Sequence, residues 1–164
     1  VKSMNGNYNL KLLIVGDGDT RENLERLVEA ESLTGSVIFT GILPREEIPR
    51  LLSESLIGVA PLKQLKNLEY AAPTKAYEYM ACGIPFIGCG SGEIAHLAND
   101  SGGGVIAENT PEAIAAALTA LLDDPGRMEE MGRRGREYVA EHYDRRAVAL
   151  KLKQYIERMA WTGT

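Results

Sequence analysis

A short stretch ahead of an apolar helix carries residue types that could bind an anion. Pro73, Thr74 and Lys75 follow one another, and the helical pattern continues to residue 82. Proline restricts the backbone and threonine is a favourable N-cap, so we expect a helix that begins at Thr74. The free amides at such a helix start favour a negative charge by roughly 0.3 to 2 kcal/mol. Because a lysine is unfavourable there, Lys75 favours a diphosphate ligand, and a solvated surface lysine is the alternative.

One turn further along, Glu78 is a carboxylate in a mainly apolar helix, between Tyr77 and Tyr79. A carboxylate is costly to bury unless it accepts hydrogen bonds, and the hydroxyl groups of a sugar are good donors. Glu78 therefore indicates hydroxyl binding next to the predicted anion site. A salt bridge with Lys75, three residues earlier on the helix, is the structural alternative.

A glycine-containing turn near the start of the chain is a second candidate for phosphate binding. Gly16 and Gly18 alternate with Asp17 and Asp19 directly after an apolar run. The pattern lacks the later glycine of the dinucleotide-binding motif, and two aspartates would repel a phosphate. A plain turn between a strand and a helix is therefore the alternative at Gly16.

These candidate residues need elements that bring their loops to one edge, and the hydrophobic pattern predicts such elements. Short apolar runs alternate with helical patterns and predict strands at residues 10–15, 37–40, 56–60, 85–88 and 105–107. This alternation implies right-handed crossovers and a parallel sheet covered on both faces. We predict an α/β fold with an open, Rossmann-like parallel sheet of about five to six strands and extra C-terminal helices. Ligands of such sheets bind beyond the carboxyl ends of the strands.

Capping patterns predict several helix boundaries. Asp19 and Glu22 have the spacing of a capping box, and Thr110 followed by Pro111 marks the start of a later helix. Two further helices are expected at about residues 127–142 and 145–159. The last one has an apolar stripe, which should pack on this domain or on a domain that the chain lacks.

Length, charge, apolar runs and cysteine content indicate how many domains the chain has and which partners and compartments are expected. The 164 residues suit one domain, which we place at residues 10–164, with residues 1–9 as a disordered segment or an expression remnant. A net charge of -5 argues against nucleic-acid binding. No apolar run approaches the roughly 18 residues of a membrane span, and two cysteines without metal spacing favour a reduced compartment. We expect a cytoplasmic protein whose full-length form could associate peripherally with the inner face of the membrane.

Five segments occur in an order that is typical of one family of enzymes. They are VGDGDTRENLERL, VIFTGILPREEIPRLLSESLIGVAPL, PTKAYEYMACGIPFIG, GSGE and TPEAIAAAL. Together they resemble the C-terminal, donor-binding domain of retaining GT-B glycosyltransferases of the glycosyl transferases group one family. The resemblance covers residues 10–160 and is most specific over residues 73–88. It implies transfer of a glycosyl group, of hexosyl type, from a UDP- or GDP-type sugar to a saccharide or lipid-linked acceptor in polysaccharide or glycolipid synthesis.

The resemblance implies roles for residues on the predicted helix. Glu78 matches the second glutamate of the family's motif of two glutamates separated by seven residues, and this glutamate binds the ribose hydroxyls. The first glutamate contacts the donor sugar and should fall on Tyr70, whereas this chain has the carboxylate at Glu69. Thr74 and Lys75, entered through Pro73, would bind the diphosphate.

The resemblance also implies contacts from two other loops. The backbone near Leu43 would meet the base of the nucleotide. The turn from Gly90 through Gly92 to Glu93 would approach the donor sugar.

Parts of the enzyme that the resemblance implies have no counterpart in this chain. They are a strand followed by an arginine and a lysine that clamp the pyrophosphate, and the N-terminal acceptor-binding domain. The fragment alone is therefore expected to be inactive. No metal or cofactor is expected, because no Asp-x-Asp pair stands on a suitable loop. Two alternatives keep the fold: a UDP-sugar 2-epimerase, for which only His96 and His142 supply imidazoles, and a non-enzymatic doubly wound binding module.

Overall fold

The computed structural model describes Met4, residues 8–62 and residues 73–161. Strands and helices alternate along this part of the chain. The strands are β1 (Leu12–Val15), β2 (Val37–Gly41), β3 (Gly58–Pro61), β4 (Phe86–Cys89) and β5 (Gly104–Ala107). The helices are α1 (Arg21–Ala30), α2 (Ile48–Ser53), α3 (Thr74–Ala81), α4 (Glu93–Ser101), α5 (Pro111–Leu122), α6 (Pro125–His142) and α7 (Arg145–Trp161). The predicted α/β class and the all-helical C-terminal part are confirmed.

The described strands form two parallel sheets. β1 pairs with β2, and β3, β4 and β5 pair in that order. The predicted parallel α/β architecture is confirmed, and the described strands pair as two groups, since β3 pairs with β4 and with neither strand of the first sheet. Strand pairing depends on contacts between distant segments, which a local hydrophobic pattern does not specify. Among the described strands, β1 and β3 therefore each have one edge without a partner strand.

The core of the three-stranded sheet is built on β4, which is buried at every position. On one face of β4, Phe86 packs with Met80 of α3 and Ile94 of α4. On the other face, Ile87 packs with Leu121 of α5 and Met131 of α6. Successive residues of a strand point to opposite faces, so β4 is covered on both faces, as expected of a strand in a parallel sheet between two layers of helices.

The two-stranded sheet is much less covered. Leu12 and Leu13 of β1 are each 37% exposed and Val15 is 42% exposed. Because adjacent strand residues point to opposite faces, β1 is accessible on both of its faces. The apolar run at residues 10–15 predicts a strand buried on both sides, and the described chain does not provide that cover.

Helix α6 approaches the rest of the domain through its glycines. A Cβ atom built on Gly132 would lie 2.0 Å from the carbonyl oxygen of Gly83, which follows α3. A Cβ atom on Gly135 would lie 2.9 Å from Cγ of Met80. Only hydrogen fits at these two positions, so backbone meets backbone and α6 packs directly against α3.

The start of α5 is as predicted. The hydroxyl of Thr110 accepts a hydrogen bond from the amide of Ala113 at 3.2 Å, and Pro111 takes the first helical position. Threonine satisfies an amide that the helix leaves free, and proline has no amide to satisfy.

The predicted capping box at Asp19 and Glu22 is wrong. Helix α1 begins at Arg21, and Thr20 precedes it without a side-chain cap hydrogen bond. The backbone of Thr20 is already helical, with φ -92° and ψ -3°, whereas a capping residue has an extended backbone. The chain thus turns before Thr20, and Asp19 lies too early to cap the helix.

The ends of the chain differ in how they pack. Met4 is buried, and the hydroxyl of Tyr8 donates a hydrogen bond to the carboxylate of Asp123. Six large apolar side chains of α7 are 47% to 67% exposed, so the stripe is not buried against the described part of this domain. They are Val148, Leu150, Leu152, Tyr155, Ile156 and Met159. Within the described residues, no helix is both long enough and apolar enough to cross a membrane.

Candidate functional site

The carboxyl ends of the three strands of the larger sheet lie level with one another. Pro61 pairs with Cys89, and Cys89 pairs with Ala107. Two hydrogen bonds extend this edge beyond the strands: the amide of Leu62 donates to the Cys89 carbonyl at 3.2 Å, and the Asn109 side chain donates to the Leu62 carbonyl at 3.2 Å. Asn109 was not among the residues predicted from the sequence, although an asparagine directly before a helix cap is a recognisable loop residue. The loops that follow β3, β4 and β5 therefore start side by side at this edge.

The start of α3 differs from the prediction in its capping residue. Pro73 is buried and takes the N-cap position with an extended backbone, φ -69° and ψ 110°, and no side chain caps the helix. Thr74 is already the first helical residue, which is why its hydroxyl does not cap the helix. The amide of Ala76 donates to the Pro73 carbonyl at 2.9 Å. The first amides of α3 are thus left without a side-chain acceptor, as an anion-binding helix start requires.

Three polar side chains are exposed on the first turns of α3. Thr74, Lys75 and Glu78 face solvent, while Ala76 and Met80 are fully buried. Glu78 is one helical turn from Thr74, so the two lie on one face of the helix. Within the described part of the chain, no ion pair joins Lys75 to Glu78, and the salt-bridge alternative is not realised. Glu78 is also not buried, contrary to the reasoning that its burial would need hydroxyl donors.

The turn before α4 lies next to the start of α3. Gly90 and Gly92 have positive φ angles of 130° and 74°, and Gly92 is the N-cap of α4. Glycine adopts this left-handed backbone without strain, so the turn can double back at the end of β4. Glu93 is half-buried and is the first residue of α4. The pKa of Tyr77 in α3 is raised by burial, by the neighbouring Tyr143 hydroxyl and by the negative charge of Glu93.

An aromatic cluster, which sequence analysis missed, lies between α3 and the end of α6. We define it as Tyr77, Tyr138, His142 and Tyr143. The ring centroids of Tyr77 and Tyr143 are 4.6 Å apart, those of Tyr138 and His142 are 4.5 Å apart, and those of Tyr138 and Tyr143 are 6.0 Å apart. These separations suit tilted aromatic packing. The only sequence signal was three rings near one helix end, with no indication of their partner on α3.

Gly16 and Leu43 lie at the carboxyl ends of the other sheet. The amide of Gly16, whose φ is 124°, donates to the carbonyl of Gly41 at 2.9 Å. Asp17 accepts a hydrogen bond from the amide of Gly18 at 2.8 Å, so this carboxylate closes the turn. That contact favours the plain turn over a phosphate loop at Gly16. Leu43 is half-buried just after β2.

The structure therefore divides the predicted site residues into two groups. Pro73, Thr74, Lys75 and Glu78 lie near the turn from Gly92 to Glu93, at the edge of the larger sheet. Gly16 and Leu43 belong to the smaller sheet, which is not paired with the larger one among the described strands. Glu69 and Tyr70 lie outside the described residues.

No metal centre is formed by the residues that the structure describes. Their histidine, cysteine, aspartate and glutamate side chains include no group of three that could hold an ion. Both cysteines, Cys82 and Cys89, are free thiols.

Comparison with known proteins relates the chain to enzymes of one kind. The family model described as Glycosyl transferases group 1 matches residues 1–138. The 2-deoxystreptamine glucosyltransferase of Streptomyces kanamyceticus is 29% identical over 145 residues, covering 87% of this chain and 36% of that protein. The GDP-mannose-dependent alpha-(1-6)-phosphatidylinositol monomannoside mannosyltransferase of Mycolicibacterium smegmatis is 28% identical, covering 88% of this chain and 39% of that protein. The chain thus spans between 36% and 39% of the length of these two relatives.

Solved structures share the fold. Sucrose-phosphate synthase from Thermosynechococcus elongatus superposes with a TM-score of 0.79 at 25% identity, over 93% of this chain and 39% of that one. Anabaena HepE in complex with UDP superposes with a TM-score of 0.73 at 16% identity, over 91% of this chain and 41% of that one. Both likenesses agree with the parallel α/β architecture described above.

Proposed function

The chain belongs to the glycosyl transferases group 1 family, and from that premise we propose that it is the nucleotide-sugar-binding domain of a glycosyltransferase. The longer enzyme would transfer a glycosyl group, of hexosyl type, from a nucleotide-diphosphate sugar to a saccharide or lipid-linked acceptor. An N-terminal domain outside this chain would hold the acceptor. Such an enzyme would work in the cytoplasm, and at the inner face of the membrane where its acceptor is linked to lipid.

The observation that carries this proposal is the exposed polar face at the start of α3. Thr74, Lys75 and Glu78 lie on that face, at the edge of the sheet where the turn to Glu93 also ends. An uncapped helix start attracts the diphosphate, and a carboxylate one turn away can accept hydrogen bonds from ribose hydroxyls. The start of α3 thus offers partners for both the anionic and the hydroxyl groups of a nucleotide on one exposed helix face.

We assign the remaining contacts by position. Glu93 would contact the donor sugar, because it stands at the start of α4 beside α3. Glu69 or Tyr70 would contribute to the same contact. The backbone near Leu43 would meet the base, with Gly16 allowing close approach at the neighbouring strand end.

The role of this domain in the reaction is electrostatic and positional. The diphosphate is the leaving group of glycosyl transfer, so its negative charge grows as the sugar departs. The positive end of α3 and the ammonium group of Lys75 are placed to stabilise that charge. Acceptor positioning belongs to the other domain, and we therefore expect the 164-residue chain to catalyse no transfer alone.

The nucleotide is proposed to be of the UDP or GDP type. One relative is named for its dependence on GDP-mannose, and a solved structure with the same fold holds UDP. A transfer assay of the longer protein with a panel of UDP- and GDP-sugars tests the proposal. Transfer from one donor series supports it, and a longer protein that consumes no nucleotide sugar with any acceptor would contradict it.

Replacing Lys75 should weaken binding of the diphosphate while leaving binding of the nucleoside unchanged. Lys75 is exposed, so Lys75→Met should reduce affinity for the nucleoside diphosphate about fivefold, with a smaller effect at high salt. Calorimetry with the diphosphate and the matching nucleoside measures both affinities. Lys151→Met, at an exposed lysine of α7, is the control and should bind like the unaltered chain. Equal losses of affinity in the two variants would show that Lys75 has no specific role in binding the diphosphate.

Donor binding is proposed to be independent of metal ions. Among the described residues the positive helix start and Lys75 are available to the diphosphate, and no cluster of three metal ligands is present. The dissociation constant for the nucleoside diphosphate should therefore be the same in EDTA and in millimolar Mg²⁺. Binding that disappears in EDTA and returns with Mg²⁺ would show that the diphosphate is held through a cation instead.

A further inference from the structure

Helix α6 runs alongside α3 and contacts it at both ends. Near the carboxyl end of α3, Gly132 lies so close to Gly83 that no side chain fits between them. At the other end, Tyr143, which follows the last turn of α6, packs on Tyr77 in the first turn of α3. The two helices are therefore antiparallel, and the end of α6 is fixed beside the helix start that carries the proposed diphosphate site.

Tyr143 and Tyr77 are in direct aromatic contact. Their ring centroids are 4.6 Å apart and the ring planes are tilted by 58°. Tyr77 and Tyr138 are half-buried and pack against the core cluster that contains Met80 and Phe86. Tyr143 is 41% exposed, so its contact with Tyr77 lies between the core cluster and the protein surface.

Tyr77 occupies a sensitive position on its helix. It lies between Lys75 and Glu78 in sequence, on the opposite, inward side of the same turn. Glu93, at the start of α4, is close enough to act electrostatically on both Tyr77 and Tyr138. Tyr77 and Tyr138 pack against the core cluster that also contains Ala76 of α3 and Ile94 of α4, so the aromatic cluster lies beside the two helix starts that we assign to the donor.

We propose that Tyr143 is a positioning residue, whose ring holds Tyr77 and with it the first turn of α3 in register with the start of α4 at Glu93. The inference rests on the proposed function, since it concerns the geometry of Lys75 and Glu78 for the donor. Tyr143 directly follows α6, which is far from α3 in the sequence. The position of Tyr77 therefore depends on how α6 packs against α3.

The test compares three variants of the 164-residue chain with the unaltered protein. Tyr143→Ala removes the ring, Tyr143→Phe keeps it, and Leu121→Ala opens a cavity in the core on the other face of β4. Hydrogen exchange of the Tyr77, Glu78 and Tyr79 amides reports on the first turn of α3 without any nucleotide, because these amides close that turn. Calorimetry with UDP and with GDP gives the affinity of each variant for the nucleoside diphosphate.

We expect Tyr143→Ala to accelerate exchange at these three amides and to weaken nucleotide affinity about threefold to tenfold. Tyr143→Phe should restore most of both, and Leu121→Ala should lower thermal stability while leaving affinity unchanged. Equal exchange acceleration in Leu121→Ala, or an unchanged affinity in Tyr143→Ala, would overturn the inference. If the unaltered chain binds no nucleotide, the proposed function is what fails, and selective exchange at the first turn of α3 then decides the positioning role alone.

Discussion

The substitution Gly132→Ala is expected to destabilise the domain by about 3 kcal/mol. A Cβ atom at this position would lie 2.0 Å from the Gly83 carbonyl oxygen and 2.9 Å from its carbon. These are backbone atoms at the end of α3, so they cannot rotate away as a flexible side chain would. Either α6 or the segment after α3 must move, and both are fixed to the core through Met131 and Ile84.

A matched substitution on the same helix separates this clash from a general effect of alanine. Gly126→Ala, in the first turn of α6, would meet only the Asp124 carboxylate at 3.7 Å. Alanine is the better helix former, so this variant should be as stable as the unaltered chain or up to about 1 kcal/mol more stable. Thermal unfolding followed by circular dichroism should place Gly132→Ala roughly 6 to 12 °C below the unaltered chain. Similar melting temperatures for the two variants would contradict the close packing of α6 on α3.

The substitution Glu78→Gln is expected to weaken nucleotide binding about 10- to 100-fold without unfolding the domain. A carboxylate accepts stronger hydrogen bonds from ribose hydroxyls than a neutral amide does. Glu78 is exposed and has no ion pair with Lys75, so its replacement removes no contact that holds the fold. In the longer enzyme the same change should severely reduce glycosyl transfer. Calorimetry on the chain and a transfer assay on the longer enzyme measure the two effects.

Deoxyribose forms of the ligand test directly whether Glu78 binds the ribose hydroxyls. If Glu78 binds the ribose hydroxyls, the unaltered chain should bind a nucleoside diphosphate more tightly than its 2′-deoxy or 3′-deoxy form. Glu78→Gln should reduce that discrimination, whereas Glu129→Gln, at an exposed position of α6, should preserve both affinity and discrimination. Full discrimination in Glu78→Gln would show that the ribose is bound by other groups.

Local sequence patterns were enough to predict the helices and strands around the site. The run at residues 85–88 predicts a strand of a sheet covered on both faces, and β4 (Phe86–Cys89) is buried at every position. The apolar spacing after Thr74 predicts α3, and Thr110 with Pro111 predicts the start of α5, including its cap. These features depend on a few neighbouring residues and on side-chain periodicity, so the chain encodes them locally.

Features that depend on backbone angles or on distant segments were not predictable in the same way. Thr74 was expected to cap α3, but Pro73 has the extended backbone that the cap position needs. The contact of Tyr77 with Tyr143 joins residues far apart in sequence and follows from how α6 lies on α3. The division of the strands into two sheets likewise depends on which edges meet. Tertiary packing decides each of these points, and no local pattern records it.

The site itself was predictable in its residue types more than in its surroundings. Lys75 and Glu78 were identified from their positions on one helix, and the structure places both on its exposed face. Their supporting contacts came only from the structure: Asn109 ties the β3 loop to the β5 loop, and Tyr143 supports Tyr77. Asparagine and tyrosine are common in loops and at helix ends, so their presence in the sequence does not indicate that they support a site.

The most direct test of donor binding is an NMR titration of the 164-residue chain with UDP, GDP and ADP. The account predicts saturable binding of UDP or GDP in preference to ADP, with amide shifts concentrated at Thr74 to Glu78 and at Gly90 to Glu93. A titration in which none of these amides shifts, or in which the shifts saturate at residues far from the carboxyl edge of β3 to β5, would contradict it.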